Sequence, residues 1–180
     1  VDLDKVALWH TLDKRQAFRK HYSIPEDAFV AAFVGRLWEQ KDPQTLAQII
    51  QSCAGMPIYF LIVGDGPYSE SFHHLFDQNP RVIMTGWLEE CYSMYPAIDV
   101  LVLPSLWEGL SVTLIEAMAF AKPLVASNIK GNRECVHPGE NGFLCTPKTA
   151  DEFRNAITRL LKDRELYQRM AQRSREIAQR

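Results

Sequence analysis

Ala28-Phe29-Val30-Ala31-Ala32-Phe33-Val34, halted by Gly35, is an apolar run with no polar position in it. A strand with one wet face alternates apolar and polar residues, so an unbroken run of this length suits a strand covered on both faces. Downstream, Asp42-Pro43 places an N-cap residue before a proline at the first helical position, where the missing N–H is no loss. That pair predicts a helix from Pro43 to about Ser52, with Leu46, Ile49 and Ile50 facing inward. Four further runs read as buried strands: Ile58 to Val63, Arg81 to Met84, Val100 to Leu103 and Pro123 to Ala126, separated by helical or turn-rich stretches. Such alternation predicts an α/β fold, a parallel sheet with helices on both faces. Two helices should finish the chain, Ala150 to Lys162 and Glu165 to Gln179. The arginine-rich face of the second reads first as a solvated surface, with docking on a partner domain or an anionic membrane as the alternative.

The 180 residues show no repeat, low-complexity tract or internal linker, and are expected to form a single unit over positions 1–180. With 47% apolar and 23% charged residues the composition is that of a globular protein. A net charge of -2 supplies no positive field for a phosphate backbone, so no nucleic acid partner is expected. Cys53, Cys91, Cys135 and Cys145 lack the short paired spacings of zinc sites and read as reduced core thiols. No apolar run approaches the roughly 20 residues needed to cross a bilayer, and Val1-Asp2-Leu3-Asp4-Lys5 is not a signal peptide. A cytoplasmic location is the expectation.

In open parallel sheets ligands bind beyond the carboxyl ends of the strands, so the loops leaving the strands carry the functional signal. After the first comes Gly35-Arg36-Leu37-Trp38-Glu39-Gln40-Lys41-Asp42, with a guanidinium and an ammonium ahead of a helix N-terminus. Free N–H groups and two cations outline a site for a diphosphate, although both cations also fit an ordinary surface loop. Gly64-Asp65-Gly66-Pro67 invites comparison with a dinucleotide fingerprint and fails it, since Ser69 takes the third glycine's place and Pro67 interrupts. A tight strand-to-helix turn lining the cleft is the better reading, which weakens a dinucleotide-dependent oxidoreductase. Thr85-Gly86-Trp87-Leu88 could offer main-chain groups and a ring to a base, or Trp87 could be core.

The segment from Pro104 to Ala119 leaves a strand and opens a helix, with Glu108 in the loop and Glu116 in the helix. Gly109 permits close backbone approach between them, and the helix end can reach a phosphate. Carboxylates so placed can accept paired hydrogen bonds from vicinal hydroxyls, Glu108 from a sugar and Glu116 from a ribose, which points to a nucleotide sugar. Thr113-Leu114-Ile115-Glu116 equally fits a capping box, in which Glu116 only satisfies the Thr113 N–H.

Taken together, Gly35-Arg36-Leu37 with Lys41, Gly64-Asp65-Gly66-Pro67, Gly86, Pro104-Ser105 with Glu108-Gly109, Glu116-Ala117-Met118-Ala119 and Asn141-Gly142-Phe143-Leu144 resemble the carboxy-terminal domain of family 4 glycosyltransferases. The start Val1-Asp2 matches the stretch that follows that family's interdomain connection. The resemblance spans nearly the whole chain. It implies a Rossmann-like domain, one half of a glycosyltransferase B fold, whose acceptor-binding amino-terminal half is absent from these residues. It also implies that Arg36 and Lys41 neutralise the donor diphosphate, that Glu116 binds ribose, and that Glu108 contacts donor-sugar hydroxyls. Gly109, Leu110 and Ser111 lie beside the sugar and phosphates, and Trp87 and Leu88 hold the base through main-chain groups. Ser111 stands where many members have glycine. The implied chemistry is transfer of a hexose or related sugar with retained configuration, from a nucleoside-diphosphate sugar to a glycan or lipid-linked acceptor. Neither cofactor nor metal is implied, and the whole enzyme is expected to associate peripherally with the inner membrane surface. A non-catalytic nucleotide-binding or scaffold module is the competing expectation.

Overall fold

In a computed structural model, which describes residues 1–179, the apolar run forms strand β1 (Phe29–Val34) at the centre of a sheet. Arg180, the last residue of the predicted 1–180 unit, lies outside the described residues. The other strands are β2 (Ile58–Val63), β3 (Val82–Gly86), β4 (Val100–Leu103), β5 (Leu124–Ser127) and β6 (Gly142–Cys145). All pair in parallel, in the order β3-β2-β1-β4-β5-β6. Strand β1 is in register with β2 from Phe29↔Ile58 to Val34↔Val63, and with β4 at Ala31↔Val100. The strand order reverses between β1 and β4, and at such a switch point a crevice opens beyond the carboxyl ends of the strands.

Among the described residues eight α-helices accompany the sheet: α1 (Leu3–Trp9), α2 (Leu12–His21), α3 (Pro43–Ser52), α4 (Ser69–Phe76), α5 (Val112–Ala119), α6 (Lys130–Arg133), α7 (Ala150–Lys162) and α8 (Arg164–Ala178). Helix α3 buries Leu46, Ile49 and Ile50 as its spacing requires and packs on α7, while α5 packs on α8. At about 1.5–3 kcal/mol for each fully buried aliphatic side chain, the two-sided covering of the sheet supplies most of the driving force for folding.

Sequence and structure part company over β6, over α1 and α2, and over β3 and β5, while the reading of the α8 face holds. Strand β6 was not anticipated: it is short, begins with glycine and is buried only at its two ends, so neither a continuous apolar run nor alternation marks it. Helices α1 and α2 were also missed, because they bury only Val6, Phe18 and Arg19 among the described helix positions. Strand β3 is half-buried throughout rather than buried, as suits an edge, and β3 and β5 each begin one residue later than expected. On α8 the arginine face is partly neutralised, with Arg173 bonded to Glu140 and Glu176, which favours the solvated surface over a membrane-docking one.

Charges excluded from the sheet collect at its amino end. Arg19 has no solvent exposure, and its guanidinium donates to the carbonyls of Pro25, Glu26, Ala28 and Ala97 at 2.7–3.0 Å and to Asp99 Oδ2 at 3.1 Å. The same Asp99 oxygen accepts the Val30 N–H at 2.7 Å, so helix, β1 and β4 are tied through one ion pair. A buried charge survives only when paired and hydrogen-bonded, and this one is. Nearby, buried Lys122 donates to the Ile98 carbonyl at 2.8 Å.

Burial pushes the Lys122 ammonium down to about 8, against about 10.4 for a free lysine. Between those values the unfolded chain holds more protons than the folded one, so this group adds stability as pH rises. Urea unfolding should therefore show stability gaining more between about pH 8 and about pH 10 in the native chain than in Lys122→Met; equal slopes would refute it. A second expectation concerns Gly64, which has φ +123° and leaves only 2.1 Å between an added Cβ and the Gly35 carbonyl oxygen. Gly64→Ala should cost roughly 2–4 kcal/mol in denaturant unfolding, and a loss under about 0.5 kcal/mol would show that the close approach relaxes freely.

Candidate active site

The loops leaving β1, β2 and β3 and the face of α5 enclose a cleft of about 810 Å³. This is a volume suited to a small molecule rather than a macromolecule. Gly35, Arg36, Trp87, Leu88 and Glu116 line it, together with the Gly64–Pro67 turn, Cys91, Val112 and Thr113. Its floor is backbone. The Gly35 N–H donates to Val63 O at 2.9 Å, Leu37 N–H to Asp65 O at 3.0 Å, and Gly64 N–H to Gly86 O at 2.8 Å. A Cβ on Gly66 would fall 2.4 Å from the Leu37 carbonyl oxygen, so only glycine lets these loops close on each other. Ser69, in the place of a fingerprint glycine, donates to Asp65 Oδ1 at 2.5 Å and accepts the Gly66 N–H at 2.9 Å, fixing the tight turn. A second hollow of about 550 Å³ lies at the amino end of the strands, where Arg15 and Asp99 are already paired at 3.7 Å.

Lys41 and Glu108 sit on the same edge of the sheet and are bonded to each other at 2.5 Å. Ser105, fully buried, donates to the same Glu108 oxygen at 2.7 Å. Gln40 reaches the other oxygen at 3.4 Å and the Trp107 carbonyl at 3.0 Å, stitching the loop after β1 to the loop after β4. Arg36 remains exposed, its guanidinium 5.1 Å above the Trp38 ring. One part of the expected anion site is corrected here. Asp42 adopts a left-handed conformation and its carboxylate accepts the Thr45 N–H at 3.1 Å, so the end of α3 already holds its own anion. No side chain caps α5, whose N-cap Ser111 is bonded to the Thr113 hydroxyl at 3.1 Å instead. Of the two helix ends, α5 is the one suited to a phosphate.

Gly109, Leu110 and Ser111 form the loop beside the cleft rather than its lining, Ser111 buried and the other two exposed. Close backbone packing at this edge falls on Gly131, and the space around Gly109 is open. A Cβ on Gly131 would lie 1.9 Å from the Gly109 carbonyl oxygen, whereas one on Gly109 would meet nothing within 4 Å. Trp87 is 81% exposed, which excludes the core alternative and leaves its ring on the rim.

Glu116 does not form the capping box. It lies beyond the first turn of α5, and its Oε2 accepts the Tyr95 hydroxyl at 2.7 Å. Burial raises the Glu116 carboxyl, and the Tyr95 hydrogen bond opposes that by favouring the ionised form. Tyr95 itself is buried, its ring stacked on Phe120 at 5.0 Å. Burial first, and the Glu116 charge second, hold its phenol well above the ordinary value, so it serves as donor only. Tyr95 carries no helical or strand period in the sequence, because it lies in a 3-10 segment, Cys91–Ala97. The one available signal was Tyr92 and Tyr95 placed just ahead of a buried strand.

Comparison with known proteins agrees with this geometry. A family model described as glycosyl transferases group 1 matches residues 14–177. An Escherichia coli UDP-Gal:alpha-D-GlcNAc-diphosphoundecaprenol alpha-1,3-galactosyltransferase is 35% identical over 174 residues, covering 92% of this chain and 44% of that protein. Anabaena HepE, solved in complex with UDP and glucose, superposes with a TM-score of 0.88 at 24% identity, over 96% of this chain and 49% of its own. The carboxy-terminal domain of the group 1 glycosyltransferase LpcC from Francisella tularensis, solved by itself, superposes at 0.81 with 22% identity, over 97% of this chain and 95% of its own. At those identities the two structures speak for the fold alone. The chain spans about half the length of the full-length relatives it matches. Since the family match runs unbroken through all six strands and every loop of the cleft, the chain belongs to the group 1 glycosyltransferases.

Proposed function

We propose that this chain is the donor-binding half of a retaining glycosyltransferase. It would hold a nucleoside-diphosphate sugar while the rest of the polypeptide presents a glycan or lipid-linked acceptor. The observation that carries this is the cleft itself, where an ionisable, half-buried carboxylate (Glu116), an exposed guanidinium (Arg36) and the uncapped end of α5 converge on one hollow. Vicinal ribose hydroxyls suit Glu116, and a diphosphate suits Arg36 with the first turn of α5. Support for reading the hollow as a donor site also comes from HepE, whose solved complex contains UDP and glucose.

Lys41 and Glu108 are the pair that the sugar and its phosphates would part. Diphosphate oxygens take up the Lys41 ammonium, and the Glu108 carboxylate turns to sugar hydroxyls while Ser105 keeps it in place. As the bond from the anomeric carbon to the diphosphate oxygen breaks, negative charge grows on the leaving group beside Arg36 and Lys41. The acceptor oxygen bonds to the same face of that carbon and its proton passes to the departing phosphate, so configuration is kept. In this scheme protein cations meet the diphosphate charge, with no metal or cofactor required. A hexose or related sugar is the proposed donor group. We place the enzyme in the cytoplasm, consistent with four free cysteines and with no described helix long and apolar enough to cross a membrane, and propose peripheral membrane association only for the whole enzyme.

Isothermal calorimetry of this chain with UDP, GDP and ADP tests the donor site. Binding of at least one is expected, and Arg36→Ala and Glu116→Ala should each weaken it about ten-fold, the loss of one charge-assisted contact. No binding of any of the three at millimolar concentration would overturn the proposal.

A further inference from the structure

We propose that Tyr95 is a positioning residue for ribose recognition, orienting the Glu116 carboxylate through its hydroxyl without touching the ligand. This rests on the donor-site reading above and adds to it a residue the cleft does not expose. Tyr95 has no solvent exposure, so a molecule in the cleft cannot reach its ring. The ring is clamped, stacked on Phe120 at 5.0 Å with 14° between planes, and met edge-on by Tyr92 at 6.3 Å. The Tyr95 hydroxyl leaves this packet pointing at Glu116 Oε2, 2.7 Å away, with the Thr113 carbonyl a more distant second partner at 3.4 Å.

The terminal torsion of a glutamate is broad and roughly two-fold, so an unheld carboxylate samples orientations that a ligand must then select. A phenol fixed by packing removes that freedom before the ligand arrives, and preorganisation of this kind appears directly in affinity. The Tyr95 proton occupies one site on Oε2. Among the described residues no protein group is bonded to Oε1, so that oxygen and a second lone pair on Oε2 are left for two neighbouring hydroxyls. The chemistry selected is a cis-diol of ribose. The hydrogen bond also favours the charged carboxylate where burial works against it.

Tyr95→Phe deletes the hydroxyl and leaves the ring to stack, and thermal unfolding verifies that the variant is folded. The informative measurement is affinity for UDP, GDP and ADP, each beside its 2′,3′-dideoxy analogue. Tyr95→Phe should weaken the ribonucleotide about ten-fold and leave the dideoxy analogue unchanged. In a Glu116→Gln background it should add no further loss. 3-Fluorotyrosine at position 95, which keeps both the hydroxyl and the packing, should retain the native preference for the diol; its loss there overturns the proposal. Unchanged ribonucleotide affinity in Tyr95→Phe overturns it as well, as does an equal loss for both nucleotide forms, the mark of a merely structural role. If Glu116→Gln weakens the ribonucleotide and Tyr95→Phe does not, only the positioning role falls. If the native chain binds none of the nucleotides, the donor-site reading falls and takes the positioning role with it.

Discussion

Burial of the sheet on both faces is the constraint from which the rest of this molecule follows. Strands β1, β2, β4 and β5 are almost wholly without solvent, and nothing polar can sit along them without losing its hydration. Polar chemistry is therefore driven to the two ends of the strands. The ends are treated differently. At the amino end Arg19, Asp99 and Lys122 turn inward and are consumed by carbonyls and by each other, closing the molecule. At the carboxyl end Arg36 and Glu108 on loops and Glu116 on α5 stand around an open hollow, and some of their bonding capacity is left over.

The hollow keeps its shape because its walls are joined through main chain rather than side chains. Gly64 and Gly66 bring the loop after β2 against the loop after β1 at distances that exclude a Cβ, and Gly131 does the same beneath Glu108 and Gly109. Contacts of this kind cannot relax by changing rotamer. They place the Arg36 backbone and the Glu108 loop as firmly as the strands that carry them. Side-chain ties then set the finer geometry, Gln40 and Ser105 around Glu108, and Tyr95 around Glu116.

The two glutamates illustrate how environment divides the roles of like groups. Glu108 is neutralised by an ammonium and shares a hydroxyl donor, so a ligand must compete for it. Glu116 is held by a phenol and half-buried, with no cation bonded to it among the described residues, and offers its charge to whatever enters the cleft. A cation–carboxylate pair and a phenol–carboxylate pair thus stand on one sheet edge with opposite consequences for ligand access.

The class of fold, the position of the central strand and the edge that carries the chemistry are legible in the order of residues alone. Those depend on local periodicity and on residues close in the chain: the Ala28–Val34 run, Asp42-Pro43, and glycines directly after strands. The same order also places Arg36, Lys41, Glu108 and Glu116 on that edge, without showing what each one touches. Packing alone settles that Lys41 pairs with Glu108 and that Glu116 turns to Tyr95 instead of capping its own helix, whereas Asp42 fills the end of α3 as its place before Pro43 already indicates. Strand β6, which lacks a periodic signature, likewise exists because β5 offers it an edge. One cause covers the other three. Each is a choice among partners that local geometry allows equally, and the choice is made by groups brought together by packing from distant parts of the chain.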